Sequence, residues 1–228
     1  MFFENQTVNQ KGHMEIGGCD TVALAEEFGT PLYVMDEDML RNKCSRYLNS
    51  FKNSYPQVDI AYASKAFTVV AMCNLVKEEG MWLDFASLGE LHTGLLARFD
   101  TSKIVFHGNF KQIDELQSAV KNNVKVVCDS YKEIEQLACI AAENKTVCKV
   151  LVRCNPGINP HTHTMISTGQ EDSKFGFNIK SGDAIAAIKK ILEKESLEFV
   201  GVHCHLGSQL LDAEPFRQVA PVMADFFA

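Results

Sequence analysis

The sequence predicts an α/β fold in which a parallel sheet is wound into a (β/α)8 TIM-type barrel, incomplete here at about six βα units. Three observations predict it. Six short apolar runs recur: VDIAYA (58–63), MWLDFA (81–86), KIVFHG (103–108), VKVVCD (124–129), VCKVLVRC (147–154) and EFVGVHCH (198–205). The first five start at 58, 81, 103, 124 and 147, so they lie 23, 22, 21 and 23 residues apart, the length of a strand–loop–helix–loop unit. The segments between them carry helical periodicity. Each run also ends at or just before a polar residue able to do chemistry: Lys65, Asp84, His107, Asp129, Arg153 and His205. The C-terminal ends of parallel barrel strands converge on one face, where such enzymes place their active sites. An open doubly wound sheet shares the alternation and remains an alternative. No Gly-x-Gly-x-x-Gly follows the first run, so a dinucleotide fold has no positive support.

The elements follow in order. Thr21 to Phe28 reads as a short helix stopped by Gly29. PLYVM (31–35) reads as a strand, and Asp36 is a good N-cap for a helix to about Phe51. Val69, Met72, Cys73 and Val76 repeat at i, i+3, i+4, i+7, which makes a helix after the first run. Leu88, Leu91 and Leu95, then Ile113, Leu116 and Val120, then Ile134, Leu137 and Ala141 do the same after the next three. The spacing breaks once: runs five and six start at 147 and 198, 51 residues apart. Between them lie the polar stretch NPGINPHTHTMISTGQEDSKFGF and a helical pattern through Ile185, Ile188 and Leu192. A loop this long inside a domain is either functional or disordered. The last segment, EPFRQVAPVMADFFA, is helical, and the chain stops inside it. Six strands of an eight-stranded barrel would leave two long edges, so the chain is expected to be a fragment.

Composition narrows the function. A formal charge of -7 and a pI near 5.5 argue against nucleic acid as the main partner. No apolar run approaches the roughly 18–20 residues that span a membrane. The N-terminus lacks a basic-then-apolar signal segment, so a reduced cytoplasm is the expected location. The eight cysteines include no Cys-x-x-Cys pair, so no zinc site is expected, and several sit in apolar patterns and read as buried, reduced thiols.

Each chemically able residue has two readings. Lys65, in AYASKAF, is either a surface lysine or an amine poised to form a Schiff base with a carbonyl. His205, in HCHLGSQ, can stack on a flat ring or move a proton; with His203 it makes two potential metal ligands and no third, so no metal is expected. Gly207 and Ser208 form either an ordinary turn or a phosphate cradle. Glu90 complements a helix N-terminus or serves the site with Asp84. Asp129 and Ser130 read best as a capping pair for the next helix. Arg153 either holds an oxygen anion or makes a structural ion pair. His161 and His163, in a Pro/Gly-rich loop, read as turn or lid residues.

The strings themselves carry a resemblance. RCNPGINPHTHTMISTGQEDSKFGF, YASKA, LDFASLGEL, KIVFHGNFK and HCHLGSQ resemble, in order, motifs of the diaminopimelate decarboxylases over residues from about 30 to 220. The lysine and His-x-Gly-Ser motifs are also similar to those of ornithine, arginine and carboxynorspermidine decarboxylases. The His-Thr-His and Ser-Lys-Phe-Gly block is more particular to diaminopimelate.

The resemblance implies a fold-type III enzyme that uses pyridoxal 5′-phosphate, with an α/β barrel and a β-domain built from both chain ends. It implies that residues 1–35 belong to that β-domain, that 36–228 are the cofactor-binding barrel, and that the C-terminal β-domain lies outside this chain. Lys65 matches the lysine that carries the cofactor, His205 the histidine stacked on its ring, and Ser208, beside Gly207, the serine at its phosphate. Asp84 and Arg153 match residues around them. His107, Asn109 and Lys111 fall in a matching segment without assigned roles. The implied reaction turns meso-diaminopimelate, a small amino-acid substrate, into L-lysine and carbon dioxide in a homodimer, with this stretch alone inactive. Two departures stand out: Phe67 replaces the family's common asparagine, and the segments that complete the family's site lie outside this sequence. Another basic amino-acid decarboxylase, or a non-catalytic regulatory protein that binds the cofactor, are the alternative readings.

Overall fold

The computed structural model describes residues 5–158, 175–207 and 210–228. The chain forms two compact units: residues up to Ile60 with Leu75–Met81, and Ala61–Asn74 with Trp82–Ala228.

The first unit begins with a small antiparallel sheet of β1 (Gln6–Val8), β2 (Met14–Ile16) and β3 (Cys19–Asp20). Helix α1 (Thr21–Phe28) follows at once, because Asp20 caps it by accepting from the backbone N–H groups of Val22 and Ala23. Gly29 ends it at φ +81°, a conformation that favours glycine. Helix α2 (Glu37–Ser54) starts on the expected cap, Asp36, which accepts from Met39 N–H at 2.8 Å. It runs one turn past Phe51. The expected strand at 31–35 is not formed: these residues join no ladder among the described residues, and Tyr33 is 96% exposed. Apolar, β-branched composition favours extension, but a strand exists only where another backbone answers its N–H and C=O groups.

The second unit carries the repeat. Its strands are β4 (Ala61–Ala63), β5 (Trp82–Phe85), β6 (Ile104–Phe106), β7 (Lys125–Cys128), β8 (Cys148–Asn155), β9 (Phe177–Asn178) and β10 (Leu197–His203). Six of them lie side by side in the order 4-5-6-7-8-10, all parallel, and β9 pairs with β8. That order decides between the two α/β alternatives. A doubly wound sheet reverses its strand order at a switch point, whereas a barrel adds each strand beside the last. With right-handed crossovers throughout, an unreversed order puts every helix on one face of the sheet.

Helices α3 (Val70–Glu78), α4 (Leu88–Leu96), α5 (Ile113–Lys121), α6 (Tyr131–Glu143) and α7 (Asp183–Leu192) fall where the periodicity put them, and α8 (Glu214–Phe227) follows β10. Leu91, Leu116, Ile134, Leu137 and Ile191 are fully buried, and so are Leu83, Phe85, Ile104, Phe106, Val150 and Val152 of the strands. Strands covered on both faces read as continuous apolar runs, which is why the six runs were visible. Gly94 marks how close α4 comes: a Cβ there would lie 2.7 Å from the Phe85 ring. Strand β9, in the long polar segment, was not foreseen, since two residues carry no period.

Candidate active site

Alternation along the strands aims the polar residues. The Phe85 ring packs against Gly94 of α4, and so does Ile104, so both face the helices. Asp84, next to Phe85, therefore points to the opposite face, and so does His107, three residues after Ile104. The ladder continues past β6, with His107 N–H donating to Phe85 C=O at 2.8 Å. This brings His107 Nε2 to 3.3 Å from Asp84 Oδ2, without the alignment of a hydrogen bond. On the far strands, His203 lies in register with Arg153. A bulge between Phe199 and Gly201 resets that register just before the site. The His203 ring stacks with His107 at 6.2 Å between centroids and 20° between planes. The face opposite the helices thus carries Asp84, His107, Arg153 and His203 at the C-terminal ends of β5, β6, β8 and β10.

The electrostatics follow from burial among cations. Burial pushes the Asp84 carboxyl up to about 7; Glu90 adds to this, while Lys65 and Arg153 oppose it. Burial lowers His107 to about 4, helped by Lys65, Arg153, Lys111 and His205. His203 is held down to about 3 by burial, then by Arg153, His107, His205 and Lys111. His205 is lowered too, first by burial and then by Lys65 and Arg153. Both buried imidazoles are therefore neutral at neutral pH.

Lys65 lies in a single 3-10 turn, Ser64–Ala66, at the end of β4, and its side chain is exposed at the mouth. Its charge is felt by Asp84, His107 and His205. His205 is exposed beyond the end of β10, which closes at His203, so only His203 of the two lies on the strand. Gly207 adopts φ +146°, open to glycine. Ser208, His161 and His163 lie outside the described residues.

Arg153 is buried and pairs with Asp129, NH1 to Oδ1 at 3.2 Å, while its guanidinium lies 4.6 Å from the Phe175 ring centre. Asp129 is therefore not the helix cap it resembled. Ser130 alone caps α6, accepting from Glu133 N–H at 3.3 Å. The Asp129 carboxylate instead takes the Gly176 N–H and Arg153, a stronger partner than an orphan amide. Glu90 resolves toward its structural reading: its carboxylate accepts from Ala86 N–H, and Ser87 caps α4. Asn109 is exposed.

A second buried pair was missed. Lys111 Nζ lies 2.5 Å from Glu133 Oε1 and donates to the carbonyls of Gly108 (2.7 Å) and Val127 (2.8 Å). Glu133 Oε2 in turn accepts from Asp129 N–H at 3.0 Å. A lysine two residues before an amphipathic helix is usually solvated, so no local signal marks it.

A family model described as pyridoxal-dependent decarboxylase, pyridoxal binding domain, matches residues 41–228. The chain belongs to this family. It is 45% identical to the diaminopimelate decarboxylase of Bacillus methanolicus over 218 residues, which is 95% of this chain and 50% of that protein. To the Bacillus subtilis diaminopimelate decarboxylase it is 44% identical over 209 residues, 91% of this chain and 48% of that protein. Among solved structures, the M. jannaschii diaminopimelate decarboxylase in co-complex with L-lysine superposes with a TM-score of 0.89 at 38% identity. It covers 98% of this chain and 52% of that one. The chain thus spans about half the length of the curated relatives it matches. As a pyridoxal-binding domain it has donors that fit the cofactor. An amine stands at the mouth, a flat imidazole at the rim, and His203 Nδ1 is buried with no hydrogen-bond partner among the described residues.

Proposed function

We propose that this chain is the cofactor-binding part of a diaminopimelate decarboxylase, converting meso-diaminopimelate to L-lysine and carbon dioxide. One observation carries the site assignment: Lys65, Asp84, His107, Arg153 and His205 share one electrostatic neighbourhood at the C-terminal strand ends. The substrate assignment rests on relatives of 44–45% identity bearing that name. Pyridoxal phosphate, when bound, supplies an aldehyde for amines and a ring able to take up the electron pair left by a departing carboxylate.

The residues of the chain supply the rest. Lys65 would hold the cofactor through its Nζ, and Asp84, whose carboxyl burial raises to about 7, can take the proton from the Lys65 ammonium and return it. His205 offers its ring face at the rim. Arg153, fixed by Asp129 and Phe175, presents positive charge to oxygen atoms above the strand ends. Gly207 and Ser208 would hold the phosphate. Residues 1–35 form part of an accessory β-domain and 36–228 the barrel. The complete enzyme works as a cytoplasmic homodimer.

The test uses the full-length protein loaded with pyridoxal phosphate and reduced with borohydride. The cofactor's mass should be retained on the peptide containing Lys65 and lost in Lys65→Ala; retention elsewhere removes Lys65 from its role. Carbon dioxide release, measured side by side on meso-diaminopimelate, ornithine and carboxynorspermidine, should favour the first. Preference for ornithine ends the substrate assignment.

A further inference from the structure

We propose that His107 is a positioning residue that, with His203 stacked behind it, holds the Asp84 carboxylate toward Lys65. This rests on the function proposed above. His107 reaches Asp84 by geometry that the strands impose: β5 and β6 run in register, and His107 is the first residue past β6 on the face Asp84 shares. The 3.3 Å separation needs only a small ring rotation to become a hydrogen bond, and Nε2 has no other partner among the described residues. The His203 ring lies near-parallel to that of His107, 6.2 Å away between centroids.

Chemistry sets the direction of the proton. The His107 ring is neutral, first because it is buried and then because Lys65, Arg153, Lys111 and His205 oppose a further positive charge. Its side-chain solvent exposure is 12%, against 25% for Asp84. A neutral imidazole with Nε2–H donates to a carboxylate and favours the ionised form. The charged groups that face Asp84 are Lys65 from the β4 turn, Glu90 from α4 and Arg153 from β8. Burial and Glu90 raise its midpoint, Lys65 and Arg153 lower it, and His107, 3.3 Å away, is a neutral donor able to lower it further. The residue therefore tunes the acid that exchanges a proton with Lys65, acting through the Asp84 carboxylate.

The experiment reads Asp84 directly. In the cofactor-free full-length protein, infrared difference spectra across pH 5–9 should contain a protonated-carboxyl band that Asp84→Asn removes. With His107→Phe, which keeps the ring and its stacking but removes the donor, the midpoint of that band should rise by about one pH unit, the size expected for one hydrogen bond to a charged acceptor. His107→Gln, which keeps an N–H, should return it most of the way. Should His107→Phe fail to fold, His107→Gln against His107→Leu makes the same comparison. A midpoint unmoved by loss of the donor, or moved equally by His107→Gln and His107→Phe, overturns the proposal. Failure of borohydride to fix cofactor on Lys65 would overturn the function while leaving this titration to stand or fall by itself.

Discussion

Gly176 shows how one residue without a side chain can set the geometry of a charged one. It sits at φ +69°, and a Cβ there would lie 2.6 Å from the Arg153 carbonyl oxygen and 3.0 Å from Arg153 Cγ. Neither contact can yield cheaply, since one is backbone and the other is a buried stem. The Gly176 N–H also supports the Asp129 carboxylate that holds Arg153. Gly176→Ala therefore combines a left-handed backbone penalty with overpacking, and should lower unfolding free energy by about 2–4 kcal/mol. Denaturant titration of the full-length protein checks this, and an unshifted midpoint would contradict the close approach. Lys111 and Glu133 form the other single-residue commitment. Both are nearly inaccessible, and their pairing leaves each dependent on the other. Removing one charge with Glu133→Gln should cost about 3–5 kcal/mol, whereas Lys111→Met with Glu133→Leu should recover much of it, because a buried pair often exchanges for apolar packing at little net cost. A double variant no more stable than the single one would mean the pair cannot be replaced by packing.

At the scale of elements, the same device recurs where a strand hands over to a helix. Ser87 and Ser130 cap α4 and α6, and Glu90 and Glu133, three residues on, reach back to the backbone N–H of Ala86 and Asp129. Such caps contribute about 1 kcal/mol each. They also fix the turn that follows Asp84 and Asp129, so the site inherits its geometry from the capping. Much of this was legible in the chain. Apolar runs marked all six main strands, the first five at nearly constant spacing, and residues recurring every three or four positions marked α3 to α7. Period-two alternation carried Asp84, His107 and Arg153 to one face. What escaped was what depends on partners distant in sequence. Asp129 looks like a cap until Arg153 is beside it, Lys111 looks solvated until Glu133 is beneath it, and residues 31–35 look like a strand until a ladder is sought. His203 was weighed as a metal ligand, whereas its register with Arg153 makes it part of the floor.

Across the whole molecule, the buried polar floor couples stability to pH. His203 is lowered from 6.5 to about 3, first by burial and then by Arg153, His107, His205 and Lys111. The sign follows from proton counting. Below pH 6.5 the unfolded chain binds a proton at His203 that the folded chain refuses until about pH 3, so acid draws the equilibrium toward unfolding. Above 6.5 neither state carries that proton, and His203 contributes no slope. Asp84 acts in the opposite sense: between about 4 and 7 the folded state keeps a proton that the unfolded state has lost, so its share of stability falls as pH rises. Comparing the parent with a variant lacking only the imidazole separates the two, because Asp84 titrates in both. His203→Phe should give unfolding free energies parallel to the parent's above pH 6.5. Below it the curves should diverge in favour of the variant by up to about 1.4 kcal/mol per pH unit. Urea unfolding at pH 4.5, 5.5, 6.5 and 7.5 measures the divergence. Parallel curves over the whole range would mean that the ring takes up its proton in the fold as readily as in the open chain, and that the site floor is wetter than its burial indicates.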